Sequence, residues 1–157
     1  NVQSVQIIFN MFRLKPAETF FAEARRRRVG ILARVPLASG MLTGKLRPDT
    51  PFDANDHRRY NRHGEAFDQG ETFSGVDYET GLRAVDALRP LVPAGATMAQ
   101  LALRWILQFP AVTTTIPGMR RLAHVRANCA ASDGAPLDPH LLGQLRQHRW
   151  RRDWVVP

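Results

Sequence analysis

Apolar positions along this chain alternate between two periods. Val5-Gln-Ile-Ile-Phe9 is a short β-branched run ending at Asn10 and predicts a strand. From Pro16 to Arg28 the spacing becomes helical. Phe20, Phe21 and Ala24 share a face, Pro16 and Glu18 open the segment, and Arg25 to Arg28 crowd its end, where cations meet the negative pole of the helix. Gly30 breaks that helix, and Ile31 to Val35 predicts a second strand. Tyr78 to Leu91 carries Leu82, Val85, Leu88 and Leu91 at helical spacing, closed by Pro90 and Pro93. Thr97 then caps another helix, with Gln100 at capping-box spacing. Its core face is Met98, Leu101, Ala102, Trp105 and Ile106, and Pro110 stops it. Ala111 to Ile116 predicts a third strand, Leu122 to about Ala131 a helix, and Pro139 to about Arg149, after Asp138, a last amphipathic helix.

Residues 46–76 break the pattern. They are rich in Pro, Asp, Asn, Arg, His and Gly with little apolar periodicity, and predict a long loop of the functional or mobile kind. The order is then β-α-β-loop-α-α-β-α-α, which implies parallel strands joined by right-handed crossovers. Parallel sheets bury both faces, so three such strands read as part of a larger α/β barrel or doubly wound sheet.

Composition narrows the class. With 157 residues and 44% apolar content the chain is neither disordered nor short of a core, and no apolar run reaches membrane-spanning length. One cysteine, Cys129, excludes an internal disulfide framework and fits a reducing cytoplasm; its residue type predicts a core position in its helix. The net charge of +8 raises nucleic-acid binding. The basic residues are nearly all arginine, however, and no aromatics interleave them as a stacking platform would. Arg25-Arg-Arg-Arg28 is better read as a solvated helix end. We therefore expect no nucleic-acid and no membrane partner. The chain opens on Asn1 and enters a strand almost at once, which predicts a fragment, a processed product or an incomplete reading frame.

Candidate chemistry collects where strands end. Gly30-Ile-Leu-Ala-Arg-Val-Pro-Leu-Ala-Ser-Gly-Met-Leu-Thr-Gly-Lys45 runs from a buried strand into a glycine-flanked loop with a serine, a threonine and a lysine. Such loops place N–H groups, hydroxyls and an ammonium at the end of a sheet, where phosphates bind. It is not a Walker A loop, because three residues rather than four separate Gly40 from Gly44, and Leu46 follows Lys45. Val112-Thr-Thr-Thr-Ile-Pro-Gly118 repeats the design, with Arg120 and Arg121 opening the next helix. Cations there oppose the helix dipole unless an anion binds, and guanidinium forks suit phosphate monoesters such as a nucleotide 2′-phosphate. Gln6 interrupts an apolar strand, either as a satisfied amide or as a ligand contact. His57, His63 and the acids near them form no metal-ligand spacing and read as loop residues.

Taken together, Val5-Gln-Ile-Ile-Phe-Asn10, Pro36-Leu-Ala-Ser-Gly-Met-Leu-Thr-Gly-Lys45, Thr97-Met-Ala-Gln-Leu-Ala-Leu-Arg-Trp105 and Ile116-Pro-Gly118 with Asn128 resemble the C-terminal half of an aldo-keto reductase, over nearly the whole chain. The resemblance implies a partial (β/α)8 TIM barrel, about strands six to eight with their helices, with 46–76 as a long loop over the cofactor and a C-terminal helix. It implies NADPH/NADP as cofactor and a small-molecule carbonyl substrate, with the N-terminal half of the barrel as the missing partner. Gln6 would meet the nicotinamide carboxamide. Pro36, Leu37, Ala38 and Ser39 would line the pyrophosphate, with Lys45 nearby. Gly118 and Arg120 would hold the 2′-phosphate, and His124 and Asn128 would contact adenine. The chain departs from the family at Arg34, where an aromatic residue commonly stacks on the nicotinamide, at His124 for a usual Gln, and at Ala127 for a usual Glu. The family's catalytic Asp, Tyr, Lys and His have no counterpart here, so no catalytic residue is carried over and the chain alone is expected to be inactive. A truncated, non-catalytic relative serving as a binding or regulatory subunit is the alternative, and a basic nucleic-acid binder a third class.

Overall fold

The computed structural model describes residues 1–134 and 136–147. Three parallel strands, β1 (Ser4–Ile8), β2 (Gly30–Arg34) and β3 (Val112–Thr115), lie in the order β1-β2-β3. Helix α1 (Lys15–Arg26) carries the chain from β1 to β2. Between β2 and β3 come α2 (His57–Tyr60), α3 (Tyr78–Leu88) and α4 (Met98–Leu107), and α5 (Leu122–Ala130) and α6 (Pro139–Gln147) follow β3. All three predicted strands and the predicted parallel arrangement are present. The boundaries differ by one to three residues, because helix ends are set by local caps as much as by periodicity. Thus α1 stops at Arg26, and the helix predicted to Leu91 ends as α helix at Leu88 and continues as a 3₁₀ turn, Arg89–Leu91. The expected helix end at Arg149 lies outside the described residues.

The sheet sets the two environments of the molecule. Side chains of paired residues share a face, so Val5, Ile31 and Val112 lie on one side, and Gln6, Leu32 and Thr114 on the other. On the first side Ile31 and Ala33 are wholly buried. That side meets the core, where Phe9 stacks on Trp105 with centroids 5.3 Å apart and meets Phe21 and Phe109 edge-on at 4.7 and 4.8 Å. On the second side Ser4, Gln6 and Thr114 are exposed and Leu32 and Arg34 half-buried. A bulge at Thr113 shifts the β2–β3 register, and the Ile31 N–H donates to Thr113 Oγ1 at 3.2 Å.

Local signals explain the helices. Thr97 and Gln100 form the reciprocal cap of α4: the Gln100 N–H donates to Thr97 Oγ1 at 3.2 Å and the Thr97 N–H to Gln100 Oε1 at 2.9 Å. Met98, Leu101, Ala102, Trp105 and Ile106 are buried, as their spacing predicts. In α1 the crowded arginines are solvated, with Arg26 and Arg27 on the carboxylate of Glu23. Helix α5 corrects the expectation for Cys129. None of its nine residues is buried, and Cys129 is exposed. The helix has no continuous apolar stripe, so residue type alone does not bring the thiol inside.

Candidate functional site

The site grows from the end of β2. Beyond Arg34 the backbone turns through left-handed conformations at Val35 (φ 52°), Ala38 (φ 47°), Ser39 (φ 55°) and Gly40 (φ 96°) before the 3₁₀ segment Ala38–Thr43 ends at Gly44. A β-branched residue at positive φ is strained and persists only where surrounding contacts dictate it. Those contacts are visible. Asn10, wholly buried at the end of β1, donates through Nδ2 to the Val35 carbonyl at 2.8 Å and to Ser74 Oγ at 2.7 Å, and its Oδ1 accepts from the Phe12 N–H at 2.9 Å. The Ala38 N–H also donates to the Val35 carbonyl at 3.1 Å, and the Gly40 and Leu42 N–H groups share the Leu37 carbonyl at 3.0 Å.

A second left-handed turn faces the first. Within Thr72–Gly75, Phe73, Ser74 and Gly75 all have positive φ, and Thr72, Phe73 and Ser74 are buried. Ser39 joins the two turns: its Oγ donates to the Glu71 carbonyl at 3.3 Å and accepts from the Phe73 N–H at 3.2 Å. The Glu71 carboxylate pairs with Arg34, and Arg13 Nη1 donates to the Gly70 carbonyl at 3.1 Å. The segment 70–74 is therefore fastened across the carboxyl ends of β1 and β2.

Residues 46–76, mostly irregular as predicted, are thus packed rather than loose. Buried Asn61 accepts from the Ala66 and Phe67 N–H groups, both at 2.8 Å, and donates to Thr72 Oγ1 at 3.3 Å. Arg58 lies 4.7 Å over the Phe52 ring, and Arg62 stands 5.4 and 4.9 Å from Phe52 and Tyr78. Asp56 caps α2 by accepting from the Arg58 N–H, and the Arg58 guanidinium grips its carboxylate at 2.5 to 3.1 Å. These bonds hold the Asp56 carboxyl down to about 2 and raise the basicity of Arg58.

Between these parts lies an open groove of about 540 Å³, within the size range of ligand sites. Val35, Pro36, Leu37, Ser39 and Gly40 form one wall; Gly118 and Ile116 come from the turn after β3, and His57, Arg58, Phe67 and Glu71 from residues 46–76. Of the residues singled out by sequence, Pro36, Leu37, Ser39 and Gly118 meet here. Ala38 is wholly buried and contributes backbone shape. Asn128 Nδ2 donates to the Gly118 carbonyl at 3.4 Å and ties α5 to the rim. Arg120 and His124 are exposed beyond Gly118, without lining the groove. Arg34 is engaged by Glu71 at the edge. Gln6 sits exposed on the open face of the sheet, and Lys45 lines a separate groove with Arg47, Glu79 and Arg83. Sequence reading missed Asn10, Glu71, His57 and Arg58 as site residues. The only available signals were a polar residue ending an apolar strand and the capping Asp56 before His57.

The family model described as the aldo/keto reductase family matches residues 1–149. The chain belongs to this family. It is 32% identical over 121 residues to the L-glyceraldehyde 3-phosphate reductase of Escherichia coli strain K12, covering 76% of this chain and 33% of that protein. A probable voltage-gated potassium channel subunit beta of Arabidopsis thaliana is 30% identical over 147 residues, covering 88% of this chain and 41% of that one. Among solved structures, a glycerol dehydrogenase of Gluconobacter oxydans superposes with a TM-score of 0.72 at 23% identity, over 92% of this chain and 41% of that one. The holo form of an aldo-keto reductase of Bacillus halodurans gives 0.69 at 19% identity, over 99% and 44%. The parallel sheet with its helices therefore shares the fold of aldo-keto reductase TIM barrels, and the chain spans less than half the length of these relatives. Among the described residues no helix is long and apolar enough to cross a membrane, and no group of three or more His, Cys, Asp or Glu is placed to hold a metal.

Proposed function

We propose that this chain is the NADPH-binding C-terminal part, about strands six to eight, of a cytoplasmic aldo-keto reductase that reduces an aldehyde or ketone. The observation that carries this reading is the convergence of the Pro36–Gly40 turn and the Gly118 turn in one groove, at the carboxyl ends of parallel strands, where barrel enzymes bind ligands. The donor set suits a dinucleotide diphosphate. His57 brings an imidazole and Arg58 a guanidinium beside the turn, and the space where a side chain at Gly118 would stand is open.

Pro36, Leu37, Ala38 and Ser39 would hold the pyrophosphate, with Lys45 further along the same loop. Gly118 and Arg120 would hold the 2′-phosphate, His124 and Asn128 the adenine, and Gln6 and Arg34 the nicotinamide end. The bound cofactor supplies a hydride for the carbonyl carbon. The residues of this chain bind and orient, and the group that protonates the carbonyl oxygen lies outside it, so the chain alone oxidises no NADPH in the presence of an aldehyde.

Arg120 carries the test. Losing a charge-assisted hydrogen bond costs about 1.5–3 kcal/mol, so Arg120→Ala should weaken NADPH binding by roughly 10- to 150-fold and leave NADH binding nearly unchanged. If Arg120→Ala and the Arg120/Arg121 double alanine variant both keep the ratio of the two affinities, the 2′-phosphate site is wrong. A second reading, a non-catalytic binding or regulatory subunit, is supported by the likeness to the plant channel subunit. Reductase activity on joining the chain to an N-terminal half-barrel would exclude it.

A further inference from the structure

We propose that the ion pair between Arg34 and Glu71 makes the site discriminate between the oxidised and the reduced cofactor, the guanidinium holding the affinity for NADP⁺ below that for NADPH and the carboxylate moderating the difference. The inference rests on the cofactor reading above and adds to it a charge-selective contact at the ring end.

The sheet places the pair. Gln6 is opposite Leu32 and Ile8 opposite Arg34, so Arg34 ends β2 on the face that carries Gln6 and Thr114. Among the residues of β1, β2 and β3 it is the only one with a charged side chain. One residue further the backbone turns left-handed at Val35, and Val35 and Pro36 line the groove. Glu71 lines the groove from residues 46–76, with its carbonyl accepting from Ser39 Oγ at 3.3 Å and its carboxylate on Arg34. Arg34 therefore stands where the groove opens onto the exposed face of the sheet. A dinucleotide with its diphosphate between the Pro36–Gly40 and Gly118 turns, and its ring end toward Gln6, passes this guanidinium.

The two forms of the cofactor differ in charge at that end. The nicotinamide ring is a cation in NADP⁺ and neutral in NADPH, while the diphosphate and the 2′-phosphate are the same in both. A guanidinium does not lose its proton in a protein, so Arg34 repels the oxidised ring and leaves the reduced one untouched. Glu71 attracts the oxidised ring and so offsets part of that repulsion. The other charges of that wall are already engaged: Arg13 Nη1 donates to the Gly70 carbonyl at 3.1 Å, and Arg58 grips Asp56. The Arg34 and Glu71 side chains are 35% and 25% exposed, so their field is neither that of bulk water nor that of a dry interior. Between those limits one unpaired charge beside the ring corresponds to about a tenfold change in affinity.

The test is calorimetric titration of the full chain and its variants with NADP⁺ and with NADPH, at neutral pH and constant ionic strength. The readout is the ratio of the two dissociation constants, NADP⁺ over NADPH, on the same protein. The ratio cancels whatever a substitution does to the phosphate contacts, which both ligands share, so a merely structural effect leaves it unmoved. We expect wild type to bind NADPH several-fold more tightly than NADP⁺. Arg34→Gln removes the cation and leaves the carboxylate, and should lower the ratio about tenfold. Arg34→Met is read in its place if that variant does not fold. Glu71→Gln leaves the cation uncompensated and should raise the ratio several-fold. Arg34→Lys keeps the charge and should keep the wild-type ratio. Equal wild-type affinities, a ratio no lower in Arg34→Gln, or one lowered as far in Arg34→Lys overturns the role of Arg34. A ratio unchanged in Glu71→Gln overturns that of Glu71. These outcomes leave the cofactor reading standing, because both ligands still bind. Failure of wild type to bind either ligand overturns that reading, and this inference with it.

Discussion

Replacing Asn10 is the most direct test of how this site is built. The side chain is wholly buried and makes three hydrogen bonds, to the Val35 carbonyl, to Ser74 Oγ and from the Phe12 N–H, at 2.7 to 2.9 Å. Each such bond contributes about 1 kcal/mol net, and a buried group left without a partner costs about 1–3 kcal/mol more. The Val35 carbonyl keeps a second bond from the Ala38 N–H, so the penalty at that end is partial. Asn10→Ala should therefore lower unfolding free energy by about 2–4 kcal/mol, a large share of the roughly 5–15 kcal/mol typical of a folded domain. Asn10→Asp should be no milder at pH 7, because a carboxylate cannot donate to the Val35 carbonyl and would be buried beside it. Ser74→Ala removes one of the bonds and should cost about 1 kcal/mol. Equilibrium urea unfolding followed by far-UV circular dichroism measures all three, with an exposed control, Gln3→Ala, expected within about 0.5 kcal/mol of wild type. A loss below about 0.5 kcal/mol in Asn10→Ala at unchanged m-value would show that Asn10 does not hold the turn.

Three further outcomes follow from named contacts. Asp56 has its carboxyl drawn from 3.8 to about 2, chiefly by hydrogen bonds from Arg58, so its ionised form favours the folded chain. That stabilisation is complete above the unfolded value near 4 and is lost as the pH falls toward 2, so the stability difference between wild type and Asp56→Asn should narrow over that range; a gap constant from pH 7 to pH 2 refutes the pairing. Cys129 is exposed, so a colourless-to-coloured thiol reagent should label it in the native chain at a rate close to that of the unfolded chain, and labelling only in denaturant contradicts the placement of α5. Ser39→Gly and Ser39→Ala both remove the hydroxyl, but only glycine relieves the left-handed strain at φ 55°, so the glycine variant should be the more stable by about 1 kcal/mol, and equal stabilities deny the strain.

What could be read from the sequence was local. The cap of α4 joins residues three apart, and its buried face repeats at the helical period, so both were legible without the fold. The parallel arrangement of the strands followed from their alternation with helices. The site was legible only as two loops. Its fastening was not, because Asn10 reaches Ser74 across 64 positions and Ser39 reaches Phe73 across 34. Val35 shows the conflict most plainly. As a β-branched residue it reads as the last position of a strand, yet tertiary contacts turn it left-handed. Cys129 failed for a different reason: burial follows the face a helix presents, and α5 presents none to the core.

The distribution of strain is itself informative. Among the described residues, five of the six non-glycine residues with positive φ, Val35, Ala38, Ser39, Phe73 and Ser74, lie in the two turns that face each other at the carboxyl ends of β1 and β2. Left-handed conformations cost roughly 1–2 kcal/mol each outside glycine. A connection that needed only to reverse direction would meet no such cost with glycine at these places. Here the side chains are retained and used: Ser39 and Ser74 make the cross-links, and Phe73 is buried against Tyr78 and Phe52 at 5.0 and 6.2 Å. The strain is therefore offset by the very side chains that glycine would remove. Contacts within the chain set the shape of these turns, so a ligand entering the groove has little backbone left to order.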